Sequence, residues 1–199
     1  MVDLEFEADK YSIVAERYAN NGNLPRAHLK FTKFAKLNPN NPFLDPFTYC
    51  RWAECLSLQY KYPEAIKRYQ RAIQINPKHF KAFNGWGVCL LKMGKYDDAK
   101  QKFNRALEIS PKDWRTNLNI IIVLLLKGNE KEALELLKSF KEEANYYRLE
   151  GIKAEFQKEW MKIEDRIPKA KNKEEVSLIE EYIKAIRLFL KYLSSKQNT

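Results

Sequence analysis

Residues 49–56 read Tyr49-Cys50-Arg51-Trp52-Ala53-Glu54-Cys55-Leu56, and residues 83–90 read Phe83-Asn84-Gly85-Trp86-Gly87-Val88-Cys89-Leu90. An aromatic, a Trp, a small residue, a Cys and a Leu thus recur 34 residues apart. The match stays in phase downstream, pairing Tyr62 with Tyr96, Ala65 with Ala99, Tyr69 with Phe103, Ala72 with Ala106 and Pro77 with Pro111. A fixed period of this length marks a stacked structural repeat. Trp52, Ala53 and Leu56 share one face of a first helix, and Ala65, Tyr69 and Ala72 one face of a second. Each unit therefore reads as a helical hairpin, with small residues where the two helices must approach closely. Pro63 suits the first turn of a helix, where a missing N–H costs nothing. Gly94 suits the turn, and Pro77 and Pro111 block helix continuation.

The same register extends both ways. Residues 8–41 supply Tyr11, Val14, Ala15, Tyr18, Gly22, Ala27, Phe31, Phe34 and Pro39; residues 114–147 supply Ile120, Leu124, Gly128, Ala133, Leu137 and Phe140. In the last copy Ile121 replaces a small residue, Phe140 an Ala and Asn145 the closing Pro. Between the first and second copies Pro42 to Asp45 lengthen the spacing to 38, and Pro39-Asn40-Asn41-Pro42 reads as a longer loop. This pattern resembles the tetratricopeptide repeat, over roughly residues 8–147. The resemblance implies an all-α, right-handed superhelical solenoid of helix-turn-helix units: 8–41, 46–79, 80–113 and a degenerate 114–147, followed by a C-terminal cap over 148–199. It also implies a concave groove that accepts an extended peptide or helix of a partner.

After Tyr146 the repeat is lost while helical periodicity persists. Leu149, Ile152, Phe156, Trp160, Ile163 and Ile167 form one amphipathic stripe that Pro168 ends, and Lys169 to Lys173 make a basic linker. A second helix is expected from about Glu174, with Val176, Ile179, Ile183, Ile186, Leu190 and Leu193 on its apolar side. Leu178, Tyr182, Leu188, Phe189 and Tyr192 broaden that side. Solenoids expose an apolar end unless something covers it, so the first tail helix is expected to cap the array. The final helix is a candidate to pack back on the array or to mediate a homo-oligomer; its mixed Glu and Lys content argues against a membrane surface.

Hydrophobic residues make up 45% and charged residues 31% of the chain, with only 6 Gly and 8 Pro. That is too apolar for a disordered chain and too poor in turn-formers for a many-stranded β fold. The longest uninterrupted apolar run, Ile120 to Leu126, falls far short of the ~20 residues of a membrane span. Three cysteines without CxxC spacing, and a start with no basic-then-apolar leader, set the expected compartment as the reducing cytoplasm. The net charge is +10. Residues 46–113 hold thirteen Lys and Arg against six Asp and Glu, so the excess is concentrated there. Such charge attracts nucleic acid, anionic lipid or acidic protein without choosing among them.

Carried onto this chain by register, the resemblance places Arg51, Glu54, Lys81, Asn84, Val88, Leu91, Arg115, Asn119 and Ile122 in the partner-binding groove, with Ser12, Ile13, Glu16, Phe47, Cys50, Gly85 and Leu58 beside them. The groove is expected to be mixed and polar early, and apolar late. Ile120 to Leu126 is apolar all round its helix and needs cover on both faces, from the tail or from a partner's apolar segment. A subset of the family clamps the terminal carboxylate of chaperone tails with Lys, Asn and Arg. Neither register of that clamp is reproduced here, since Glu16 or Glu54 stands where an amide or ammonium should bond.

Catalytic signatures are absent by spacing. The Gly-Lys pair near Gly94 lacks phosphate-loop spacing and is followed by Tyr96 where Ser or Thr would hold magnesium. His28 and His79 stand apart from any ligand cluster and are expected at the surface, which leaves no metal site. No His is placed to activate a Cys, and no cofactor is expected. The reading is a non-enzymatic scaffold or adaptor for protein partners. The rivals are a nucleic-acid-associated factor, using Lys67, Arg68, Arg71, Lys100, Lys102 and Arg105 on the outer surface, and a homo-oligomer assembled through the final helix.

Overall fold

The computed structural model describes residues 4–37, 45–143, 150–154, 157–158 and 173–194, and every regular element among them is a helix. In chain order these are α1 (Leu4–Asn20), α2 (Leu24–Leu37), α3 (Pro46–Leu58), α4 (Tyr62–Ile75), α5 (Phe80–Lys92), α6 (Tyr96–Ile109), α7 (Trp114–Leu126), α8 (Glu130–Glu143) and α9 (Lys173–Ser194). The segment 150–154 is also helical. The expected loop at Pro39 to Pro42, Asn145, and the stripe residues Phe156, Trp160, Ile163 and Ile167 with Pro168 lie outside the described residues.

Chain-adjacent helices pair as α1 with α2, α3 with α4, α5 with α6 and α7 with α8. The first helices α1, α3, α5 and α7 also touch one another in succession, and each second helix meets the next first helix. The result is a two-layered superhelical solenoid.

Local chemistry explains where helices begin. Asp45 caps α3 by accepting from Phe47 N at 3.0 Å, with Pro46 following. Asp113 caps α7 by accepting from Thr116 N at 3.0 Å and from its hydroxyl at 2.5 Å. His79 caps α5, its Nδ1 accepting from Ala82 N at 3.3 Å. This corrects the surface expectation for His79, which is buried and packs edge-to-face with the Phe47 ring, the ring centres 4.7 Å apart. Burial lowers the pKa of both His79 and His28, which keeps them neutral acceptors. His28 is half-buried and accepts from Trp52 Nε1 at 2.9 Å.

Packing follows the repeat. Trp52, Ala53 and Leu56 face Ala65, Tyr69 and Ala72, and all are buried; Gly87, Leu90, Ala99, Phe103 and Ala106 repeat the arrangement. A Cβ on Gly87 would lie 2.5 Å from Phe103 Cε1, and one on Gly85 would lie 2.3 Å from Tyr69 Cζ. Only glycine lets these two aromatic rings seat against α5. Each large side chain so buried contributes about 1.5–3 kcal/mol. An exposed ion pair such as Arg51–Glu54 contributes about 0–1 kcal/mol, so the interior decides the fold.

Two hydrophobic clusters result. A front cluster runs from Ala15 through Trp52 to Cys89, and a rear cluster unites α5 to α8 with Ile152 and the inner face of α9. Leu118 and Ile120 to Leu124 are all buried in the rear cluster, with Leu125 and Leu126 packed against it. The run Ile120 to Leu126 of α7, apolar on every side, is thus enclosed by α6, α8 and α9.

Candidate protein-interaction groove

The first helices line up side by side, and side-chain hydrogen bonds join them across that layer. Ser12 and Thr48 hydroxyls lie 3.2 Å apart between α1 and α3. Arg51 donates to Asn20 Oδ1 at 2.7 Å while also reaching Glu54 at 2.9 Å. Cys50 Sγ sits 3.8 Å from His79 Nδ1 at the α3–α5 junction. Asn119 Nδ2 donates to Asn84 Oδ1 at 2.9 Å between α5 and α7. These bonds hold neighbouring helices in fixed register, so the floor is ordered before any ligand arrives.

The nine residues assigned to the groove fall into three groups. Glu54, Lys81 and Arg115 are exposed and Arg51 is partly so; the Arg115 guanidinium lies 4.2 Å from the centre of the Trp114 ring. Asn84, Asn119 and Val88 are half-buried. Leu91 and Ile122 are only 3% and 0% exposed, which leaves them no surface for an incoming ligand. Both belong to the cluster that includes Tyr182, Ile186 and Phe189 of α9. The front is open by contrast, with Ile13 62%, Phe47 54% and Leu58 64% exposed. Three large apolar side chains on first helices stand in solvent there, beside Arg51 and Lys81.

Cys50 is buried rather than presented to the groove, and desolvation pushes its thiol up to about 12. Cys55 and Cys89 rise to about 11 for the same reason. All three stay protonated at neutral pH, which removes the thiolate that nucleophilic chemistry requires. Among the described residues no group of three His, Cys, Asp or Glu could hold a metal ion. None of the helices described is long and apolar enough to cross a membrane.

The cations of the second helices are largely engaged. Arg68 lies 3.8 Å from the Trp52 ring centre and Lys102 lies 4.2 Å from that of Trp86, so one cation–π pair repeats with the 34-residue period. Lys100 pairs with Glu132 at 3.1 Å, Arg105 pairs with Glu108, and Arg71 donates to Gln74. Sequence reasoning missed this use of Arg68 and Lys102. Their shared offset from the two Trp residues was the available signal. It also missed Tyr60, whose φ of +62° occupies the place that Gly22, Gly94 and Gly128 take in the other hairpin turns.

The family model described as "Tetratricopeptide repeat" matches residues 80–113, and a second, "TPR repeat", matches residues 59–94. Among solved structures, MamA is 22% identical, with 68% of this chain and 77% of that chain covered at a TM-score of 0.62. The second TPR domain of human RPAP3, in complex with an HSP70 peptide, is 21% identical over 60% of this chain and 97% of its own, at 0.55. The first TPR of Spaghetti (RPAP3), bound to an HSP90 peptide, is 21% identical over 58% and 89%, at 0.54. At these identities the likeness shows the fold. No curated protein sequence matches the chain.

Proposed function

Because the chain belongs to the tetratricopeptide-repeat proteins, we propose that it is a non-enzymatic cytoplasmic scaffold whose groove captures a peptide or helical segment of a protein partner. The array would comprise the hairpins 8–41, 46–79, 80–113 and 114–147, with 148–199 as its C-terminal extension. The observation that carries the reading is the open front face, where Ile13, Phe47 and Leu58 are exposed on first helices beside Arg51 and Lys81. Apolar side chains held out in solvent cost free energy unless a partner covers them, and the interhelical bonds beneath them keep the surface preformed. Two structural neighbours hold chaperone peptides in domains of this fold, which supports a peptide ligand here. Glu54 is exposed and bonded to Arg51, so a tail bearing paired carboxylates would meet a like charge; the favoured ligand is apolar with a few acidic groups aimed at Lys81 and Arg115.

Lys81 and Arg115 are both exposed, so their reversal leaves the core intact. The full-length double variant Lys81→Glu with Arg115→Glu is expected to weaken partner capture from nuclease-treated lysate by about tenfold, as loss of two rim charges implies, with an unchanged melting temperature. Equal capture by the variant and the parent would remove these residues from the site. Loss of every partner on nuclease treatment would move the function to a nucleic-acid bridge.

A further inference from the structure

Among the described residues, helix α9 buries one face against the array. Tyr182, Ile183, Ile186, Phe189 and Leu193 are buried, whereas Glu180, Glu181, Lys184, Arg187 and Lys191 on the other side are exposed. It rests chiefly on α7 and secondarily on α8. Its path is fixed by contacts at hairpin turns. Leu178 reaches so near the third turn that a Cβ on Gly94 would lie 2.8 Å from its Cδ2, and Lys92 Nζ lies 3.6 Å from the centre of the Tyr182 ring. Tyr96 donates to Glu181 at 3.2 Å, and the Tyr192 hydroxyl donates to Glu130 at the start of α8. The helix thus spans from the α5–α6 turn to the α7–α8 turn. It shares one buried cluster with Leu91, Leu118 and Ile122.

These are residues of first helices, the elements whose exposed faces form the open groove at the front. We propose that α9 is a resident ligand of the rear groove, and that the partner admitted there is an amphipathic helix carrying aromatic and aliphatic residues at α9's own spacing, which displaces α9. The inference rests on the groove reading above and adds to it a second, gated compartment. Three features make α9 exchangeable. It is one continuous helix of 22 residues, long enough for a fragment of it to fold on binding. Its one-sided seat leaves all four hairpins paired when it departs. Two of its polar contacts, Tyr96 to Glu181 and Tyr192 to Glu130, lie at exposed edges that water can enter. The stripe Tyr182, Ile186, Phe189 and Leu193 specifies the incoming helix: a bulky residue at each of four successive turns. A gate that is open about 1% of the time would weaken an external helix by about 100-fold relative to the open state.

The test uses the full chain and a fluorescent synthetic peptide of residues 173–194, with a peptide of scrambled stripe as the control. Parent protein is expected to bind the peptide weakly. Ile186→Asp with Phe189→Asp, which expels the resident helix, is expected to bind it at least about tenfold more tightly, and the scrambled control not at all. A second variant, Glu181→Ala with Tyr192→Phe, removes the edge bonds without disturbing the apolar seat, and a smaller gain in the same direction is expected. It keeps the proposal testable if the first variant fails to fold. Affinity equal to the parent's in folded variants of both kinds would overturn the gate. So would a parent dimer that becomes monomeric in these variants, since α9 would then be shared between two copies. Neither result touches the front groove, whose own test is the Lys81 and Arg115 reversal in the parent background.

Discussion

The hairpin turns contain a left-handed residue each: Gly22 at φ +73°, Tyr60 at +62°, Gly94 at +74° and Gly128 at +76°. In that region a Cβ crowds the following carbonyl, at a cost of roughly 1–2 kcal/mol for an ordinary side chain. Three turns avoid the cost with glycine, and the second meets it. Tyr60 is 54% exposed and its ring lies edge-on to that of Tyr62, the ring centres 6.3 Å apart, a contact that offsets part of the strain. Tyr60→Gly is therefore expected to raise stability by about 1 kcal/mol, less the entropy that glycine adds to the unfolded chain. Urea denaturation would show it as a higher midpoint at constant slope. A lower midpoint would mean that the Tyr60 side chain stabilises the second turn by more than its backbone costs. Tyr60 is the place where the chain departs from its own repeat at a position that glycine otherwise marks. The 34-residue offset from Gly94 was the available signal for this position, and the backbone angle shows its strain.

In the two central hairpins the first and second helices are started by different means. Asp45, His79 and Asp113 cap α3, α5 and α7 with side-chain acceptors, whereas Lys61 and Lys95 before α4 and α6 make no such bond. Helices α4 and α6 begin instead from the tight turn, in which Lys61 N donates to Leu56 O and Lys95 N to Leu90 O, both at 3.0 Å, whereas ahead of α2 Asn23 Oδ1 accepts from Arg26 N at 3.3 Å. Capping side chains thus fix the entry angle of the groove-forming helices. Asp113→Ala is expected to cost about 1 kcal/mol, since it orphans the Thr116 N–H and removes the partner of a buried hydroxyl. Hydrogen exchange should quicken first in α7 and then in α9, which rests on it; unchanged exchange in α7 would show that its packing alone sets where it begins. At this scale the hairpins were legible, because Trp52, Ala65, Tyr69 and their partners 34 residues on mark buried faces by period alone. The need to cover α7 was legible too, from the run Ile120 to Leu126. What covers it was not, because the joining of Phe189 and Ile122 in one buried cluster depends on where a distant helix returns, and periodicity describes only a helix's own faces. His79 was misread for a similar reason: its burial comes from Cys50 and Phe47, 29 and 32 residues earlier.

Across the whole molecule, stability is expected to pass between neighbouring hairpins, as in any array where each unit touches only the next. The front and rear clusters share two half-buried residues, Ile66 on α4 and Trp86 on α5, which pack against both. Trp86 thus differs from Trp52, its counterpart one repeat earlier, although both carry a cation on the ring. Trp52 is 1% exposed and lies within the front cluster alone. Replacing it with Ala should lower the urea midpoint, at a cost of about 3–5 kcal/mol. Trp86→Ala should instead loosen the join between the clusters. The expected result is a shallower urea transition, or two resolved ones, in far-ultraviolet circular dichroism, with hydrogen exchange quickening in α1 to α4 before α7. A single transition of unchanged slope would place the coupling in the α4–α5 backbone contact rather than in this ring. Two separable transitions would also give the gate its physical basis, because a rear cluster that opens on its own can release α9 while the front groove stays folded and able to bind.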